Sequence, residues 1–270
     1  MNLFSRNKEP EALDQYILGY AQSAGARQYI TTHLGRLLQT LSLTPRGTKN
    51  DRILEMGAYM QITPALKSRF GYGEVRGCYL GQLGKTEKKK VRSATGEKFQ
   101  CYIDLFNAET DRYPYPDGHF ATVLCCELFE HLAEDPMHLI AEVNRILAPG
   151  GTLVMSTPNI TALRGVAAVL TGYHPGLYSE FIRPRDGEVD PRHAREYAPR
   201  EMRQVLEAGG FSVERLETGP VGLEPSNKFE WAEEVLKAHD FPTDLRGDVI
   251  HVMGRKTGPV AERYPAWLYV

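Results

Sequence analysis

The chain of 270 residues is 42% hydrophobic with a formal net charge of -2, the composition of a soluble globular protein with no global field to draw it to nucleic acid. No apolar run approaches the roughly 18 residues of a membrane span, and Met1 to Glu9 is polar, so neither a membrane helix nor an export signal is expected. Cys78, Cys101, Cys125 and Cys126 lack C-x-x-C spacing and fall mostly in predicted strands, which points to buried reduced thiols and a cytoplasmic protein rather than to disulfides or zinc.

Residues 10–43 place Leu13, Ile17, Tyr20, Ile30, Leu34, Leu37, Leu38 and Leu41 at helical spacing, interrupted by Gly25 and ended near Pro45. This predicts a pair of helices, packed on a sheet or covering a site. After a polar link from Thr44 to Asp51, Arg52 to Gly57 reads as a first strand with its turn, and Glu74 to Tyr79 as a second. The basic run from Lys85 to Arg92 is expected to be a solvated turn. A third strand, Gln100 to Leu105, precedes Asn107-Ala108-Glu109, where Asn107 either recognises a ligand or stabilises an Asx turn.

The most regular stretch follows. Phe120 to Cys126 is a strand bounded by the turn Pro116-Asp-Gly118, and Pro136 to Leu147 carries the apolar stripe of an amphipathic helix. Pro149-Gly-Gly151 stops that helix, and Thr152 to Ser156 is the fifth strand. Strand, helix and strand make a right-handed βαβ unit with parallel strands, and ligands of such sheets lie beyond the carboxyl ends. Cys126, Glu127, Thr157, Pro158 and Asn159 occupy those ends. If a helical turn begins at Glu127, then Glu127 and His131 share one face at i,i+4. A metal there needs a further ligand that no sequence feature fixes, so none is expected. His131 either orients a loop or acts directly.

Residues 160–198 break the rhythm with glycines, prolines, arginines and aromatics, among them Tyr173, His174, Tyr178, Phe181, Arg183, Arg185 and Arg192. They read as a lid for a polar, ring-containing or acidic acceptor, or as a flap that merely covers the sheet. His193 sits in this region, just before a helix from Pro199 to Ala208. Gly210 to Leu216 is a sixth strand, Asn227 to His239 a helix, and Asp248 to Met253 the last strand. The aromatic tail, Arg263 to Tyr269, is expected to dock on the body.

Asn107-Ala-Glu109, Tyr113-Pro-Tyr-Pro-Asp117, Glu127-Leu-Phe-Glu-His-Leu132, Leu147-Ala-Pro-Gly-Gly-Thr-Leu153 and Thr157-Pro-Asn159, in this order and spacing, resemble class I S-adenosylmethionine-dependent methyltransferases. More narrowly, the chain is similar to a bacterial branch associated with saccharide and natural-product pathways. The resemblance runs on through Arg192-His-Ala-Arg-Glu-Tyr197 and Ala208-Gly-Gly-Phe211, roughly residues 50–217. It implies an α/β, Rossmann-like, seven-stranded sheet with the last strand antiparallel. It also implies a helical cap over residues 1–50 and a methyltransferase domain over 51–270 with a lid inserted at 160–198.

The resemblance further implies S-adenosylmethionine as cofactor, held by Glu55, Gly57, Ala58, Tyr79, Asn107, Ala108, Glu109, Cys126 and Glu127. The amides of the first turn would face its methionine carboxylate. This chain departs from the pattern where Tyr59 and Gln61 replace later glycines, and where Tyr79 replaces a carboxylate that accepts both ribose hydroxyls. Ala121 replaces a common aspartate. The implied reaction is in-line displacement by an acceptor, most simply a hydroxyl of a small molecule or saccharide, with His131 or His193 as general base. No nucleic-acid or membrane partner is implied, and the oligomeric state is left open. The departures keep a non-catalytic, methyltransferase-like binding domain in play. A nicotinamide-dependent oxidoreductase is disfavoured, since the first turn lacks G-x-G-x-x-G.

Overall fold

Ile53, Leu54 and Met56 have almost no access to solvent, so the strand they form needs cover on both faces and a neighbour on both sides. This strand, β1 (Arg52–Met56), runs parallel to β2 (Glu74–Tyr79) and to β5 (Phe120–Cys126). Outside β2 lies β4 (Lys98–Leu105), also parallel, and outside that β3 (Lys85–Arg92), antiparallel. On the other side β6 (Leu147–Pro158) pairs parallel with β5, β8 (Val249–Lys256) pairs antiparallel with β6, and β7 (Phe211–Gly219) closes the far edge antiparallel to β8. The structure, a computed structural model, describes residues 12–177 and 192–270.

Among the described residues the sheet therefore has eight strands in the order β3-β4-β2-β1-β5-β6-β8-β7, not seven. The extra strand is the basic run expected to be a turn. Its lysines are exposed along an open edge, a position that tolerates charge on both faces. What docks it is a polar network under the hairpin: Thr86 Oγ1 and Tyr115 Oη donate to the buried Asp104 carboxylate, which Arg76 also grips through Nε and Nη2. The last strand is antiparallel to its neighbours, as expected.

Alternation along the strands divides the apolar side chains between two cores. Leu54, Val123, Cys125, Leu153 and Met155 face one, with α5 (Pro136–Ile146) and α7 (Pro199–Ala208) over them. Ile53, Leu124 and Val154 face the other, under α1 (Leu13–Leu18), α2 (Ala24–Thr32), α3 (Leu34–Leu43) and α4 (Thr63–Ser68). Each of these fully buried aliphatic side chains contributes roughly 1.5–3 kcal/mol. Among its described residues the N-terminal region thus forms three short helices rather than a pair. The others, α6 (Leu163–Leu170) and α8 (Glu230–Ala238), pack on each other. Asp135 caps α5 by accepting from His138 N–H (3.1 Å), and Pro136 occupies its first turn. The tail docks as expected: Tyr269 Oη donates to Asp135 Oδ1 at 2.6 Å, and Arg263 pairs with the same carboxylate.

The expectations at Tyr178, Phe181, Arg183 and Arg185 lie outside the described residues, as does the start of the N-terminal segment. Among the described residues no helix is long and apolar enough to cross a membrane.

One glycine fixes how the turn after β1 sits. A Cβ on Gly77, in the middle of β2, would lie 2.5 Å from both the Ala58 Cβ and the Ile103 Cδ1. Gly77→Ala is expected to lower the unfolding free energy by about 1–3 kcal/mol, read as a lower denaturant midpoint at unchanged slope. An unchanged midpoint would mean that the turn can retreat from β2 without cost.

Candidate active site

The carboxyl ends of β1, β2, β4 and β5 open into one cleft of about 560 Å³, a size suited to a small molecule. Gly57 leaves β1 with φ of +69°, a left-handed conformation that glycine adopts without strain, and its N–H donates to Cys78 O at 3.0 Å. Ala58 does not line the cleft. It is fully buried under the turn, and its carbonyl accepts the hydroxyl of Tyr79. Burial pushes the Tyr79 phenol up, so it remains a donor, committed to holding the turn. Where further glycines were expected, Tyr59 stands 70% exposed at the rim with its ring 5.1 Å from that of Tyr79, and Gln61 joins the lining.

Asn107, Ala108 and Glu109 line the cleft beyond β4. Asn107 Oδ1 accepts from Glu109 N–H at 2.9 Å, the Asx turn that its position allowed. Glu109 reaches across to the start of α5, where Oε1 accepts from the N–H groups of Glu134 and Asp135. Both side chains therefore also shape the loop.

Cys126 and Glu127 end β5 on the cleft wall, and burial pushes the Cys126 thiol up to about 12. Glu127 has φ of +49°, which for a residue with a side chain costs on the order of 1–2 kcal/mol. This breaks the helical turn expected to start there. Only Phe129–His131 coils, as a single 3-10 turn, so Glu127 and His131 share the cleft through tertiary placement and not as i,i+4 neighbours on a helix. Glu127 is anchored by Ser156, whose Oγ donates to Oε1 and whose carbonyl accepts the Glu127 N–H, each at 2.8 Å.

Among the cleft residues that escaped the sequence reading are Arg36, Leu37 and Thr40, all from α3. The buried Arg36 lies 3.8 Å from Glu127 Oε2 and donates to Tyr29 Oη at 3.0 Å. A charged residue set among Leu34, Leu37 and Leu41 on one helix was the available signal. Burial opposes the Arg36 charge, but Glu127 and Tyr29 more than offset it.

At the far end of the cleft, Glu130 turns inward, 1% exposed, and accepts from Thr157 Oγ1 at 2.9 Å. Burial, and next the Glu127 carboxylate, push Glu130 well above the usual carboxylate range. Its backbone carbonyl accepts from the N–H groups of Ala194 (2.8 Å) and Arg195 (3.1 Å). That pins the 192–197 segment against the end of β5. His193 does not line the cleft itself, but its ring is brought 5.1 Å from that of His131, which does. His131 Nδ1 donates to Arg192 O at 3.1 Å, and His193 Nδ1 donates to Glu196 Oε1 at 3.0 Å.

Residues 58–155 match the model of a family described as a methyltransferase domain. This segment resembles a methyltransferase domain. Around it the chain has a methyltransferase fold. It superposes with a TM-score of 0.56 at 15% identity on a chain from the complex of the Haloferax volcanii Trm112 methyltransferase activator with a methyltransferase, covering 90% of this chain and 98% of that one. An S-adenosylmethionine-dependent methyltransferase from Archaeoglobus fulgidus gives a TM-score of 0.50 at 16% identity, again over 90% and 98%. In sequence, the domain is 30% identical over 112 residues to a Mycolicibacterium smegmatis protein named as a probable S-adenosylmethionine-dependent methyltransferase, covering 42% of this chain and 36% of that protein. It is 33% identical over 108 residues to a ubiquinone biosynthesis O-methyltransferase of Leptothrix cholodnii, covering 34% of this chain and 46% of the relative. The chain thus spans less than half the length of these curated relatives.

At the floor of the cleft, Glu55 is buried and its Oε2 has no hydrogen-bond partner among the described residues. Burial pushes this carboxyl from 4.5 up to about 7, against a smaller pull from Thr63. Between those two values the folded protein holds a proton that the unfolded chain has lost, so stability falls as pH rises through the window. Glu55→Gln removes the titration. It is expected to be more stable than the parent at pH 8 by up to about 3 kcal/mol, with the difference shrinking below pH 5. Denaturant unfolding of both proteins at the two pH values checks this; a difference that does not vary with pH would show that Glu55 keeps an ordinary carboxyl.

Proposed function

We propose that the protein is an S-adenosylmethionine-dependent methyltransferase that transfers its methyl group to a hydroxyl oxygen of a small molecule or saccharide. The observation that carries this reading is the convergence of four strand ends on one cleft, with an unpartnered buried carboxylate at its floor and a histidine pair at its far end. Glu109 and Glu127 line the cleft, with Arg36 the one arginine there among the described residues, and these carboxylates suit a ligand that carries a sulfonium and an ammonium group. Glu55, Gly57, Tyr79, Asn107 to Glu109, Cys126 and Glu127 would hold the cofactor. Bound there, it supplies an electrophilic methyl group.

What the chain's own residues do follows from their placement. The Gly57 turn lets backbone approach the ligand closely, and the Tyr79 hydroxyl keeps that turn in place. Since Tyr79 supplies no carboxylate, the ribose would be held by other groups of the cleft, whose rim carries Tyr59. Glu127 and Arg36 form the partition between the cofactor end and the acceptor end. A neutral hydroxyl is a poor nucleophile, and the histidine pair is the group positioned to help it lose its proton. With Nδ1 of each ring turned to its acceptor, the neutral form of each ring would carry its lone pair on Nε2. Such a nitrogen either takes the proton itself or holds a Lewis acid that acidifies the hydroxyl. The names of relatives such as the ubiquinone biosynthesis O-methyltransferases favour oxygen over nitrogen or carbon.

Calorimetric titration with S-adenosylhomocysteine is expected to give one binding site, and NADH none; the reverse would overturn the reading. Screening sugars and hydroxylated metabolites for methyl uptake then separates an enzyme from a binding domain. With an acceptor in hand, His131→Gln or His193→Gln should lower turnover by about 100-fold or more, with S-adenosylhomocysteine affinity little changed. Full turnover in both variants would remove the histidines from the chemistry.

A further inference from the structure

Glu130, His131 and His193 each place one ligand atom within 4.8 Å of the others, although the sequence separates His193 from the other two by the whole of β6, α5 and α6. One carboxylate and two imidazoles are the hard and borderline donors that divalent first-row cations take. What distinguishes this group from a chance meeting is the way each member is held from behind. His131 donates Nδ1–H to the Arg192 carbonyl (3.1 Å) and His193 donates Nδ1–H to the Glu196 carboxylate (3.0 Å), while Thr157 Oγ1 donates to Glu130 Oε2 (2.9 Å). Metal-binding histidines are oriented in this manner, with the outer N–H given to a carbonyl or carboxylate so that the other nitrogen keeps its lone pair. The scaffold is shared as well, since the Glu130 carbonyl receives the Ala194 and Arg195 N–H groups and so locks the His193 segment onto the turn that carries His131.

Charge and access point the same way. Glu130 is buried beside the second carboxylate of Glu127, and the nearby cation, Arg36, is engaged with Glu127. His131, by contrast, is exposed and lines the cleft. With Glu130 and the His193 side chain buried or nearly so and His131 exposed on the cleft wall, a cation held here would face the acceptor on the His131 side, as a catalytic rather than a structural metal does.

We propose that Glu130, His131 and His193 bind one divalent transition-metal cation of the zinc or manganese class at the acceptor end of the cleft. The proposal rests on the methyltransferase reading for its role. An acceptor hydroxyl coordinated to the cation becomes more acidic and gives its proton to water. The resulting oxygen forms the bond to the methyl carbon as the carbon–sulfur bond breaks, and the electron pair stays on sulfur. In this arrangement the histidines are ligands, and the cation rather than an imidazole activates the acceptor.

The test uses the full chain, dialysed against chelator and then titrated with Zn²⁺ or Mn²⁺ alone, with bound metal counted by mass spectrometry. One equivalent is expected to bind. His131→Gln and His193→Gln should each weaken binding by about 100-fold or more, and Glu196→Gln, behind His193, by about 10- to 100-fold. His193→Asp, which keeps a ligand atom, should retain more affinity than His193→Gln. S-adenosylhomocysteine titration of the same samples reports whether each variant is folded. Should the Glu130→Gln protein fail that check, the exposed His131 position carries the test. No stoichiometric binding, or binding that survives in both histidine variants, overturns the proposal. Metal binding without any S-adenosylhomocysteine binding would instead leave the metal site standing and remove the methyltransferase reading.

Discussion

Parallel pairing on both sides of β1 is the constraint from which the rest of the molecule follows. A strand with parallel neighbours cannot turn straight back, so the chain must cross a face of the sheet before each return. After β1 it crosses one face through α4, and after β5 it crosses the other through α5. The two connections leave adjacent strand ends in opposite directions, and the space between them is the cleft. No side chain needs to carve it. Side chains only decide what it holds, and they are the ones that happen to end β1, β2, β4 and β5.

Those side chains gather buried carboxyl groups that burial holds toward the protonated form. Arg36 enters from α3 toward Glu127, while Glu130 and Glu55 face the interior with little or no positive charge to answer them. His251, buried and with neither ring nitrogen hydrogen-bonded among the described residues, is pushed down to about 4 by burial and then by Arg36, so it stays neutral and adds no relief. A protein interior supports ionised groups poorly unless they are paired. The arrangement is suited to cationic ligands, which would complete the pairing from outside the chain.

Much of this was legible in the sequence, and for identifiable reasons. The strands from Ile53, Val123 and Leu153 are apolar runs closed by turn residues, and the stripe of α5 leaves no alternative to a helix. Asn107, Glu109, Cys126, Glu127 and His131 could be placed at strand ends once those strands were in order. The misses share a cause, which is that each depends on contacts distant in sequence. Lys85 to Arg92 has no apolar alternation because an edge strand needs none, and what holds it, Asp104 and Arg76, belongs to other strands. Glu127 adopts a left-handed backbone because Ser156 grips it from β6. Ala58 looks like a cleft residue beside Gly57, yet the absence of a side chain at Gly77 lets it sink beneath the turn. Arg36 gives a signal only as a charge among the leucines of α3, and that signal says nothing of the cleft it enters.

The lysine-rich β3 has a further meaning for a sheet of this kind. An open strand edge offers a row of unpaired amide and carbonyl groups, on which another extended chain can be templated. Here that row carries Lys85, Lys88, Lys89, Lys90 and Arg92, nearly all in solvent. A second copy approaching edge to edge would bring like charges into register at the spacing of one strand, about 5 Å, where their repulsion is strongest. Like charge along β3 thus opposes extension of the sheet at this edge.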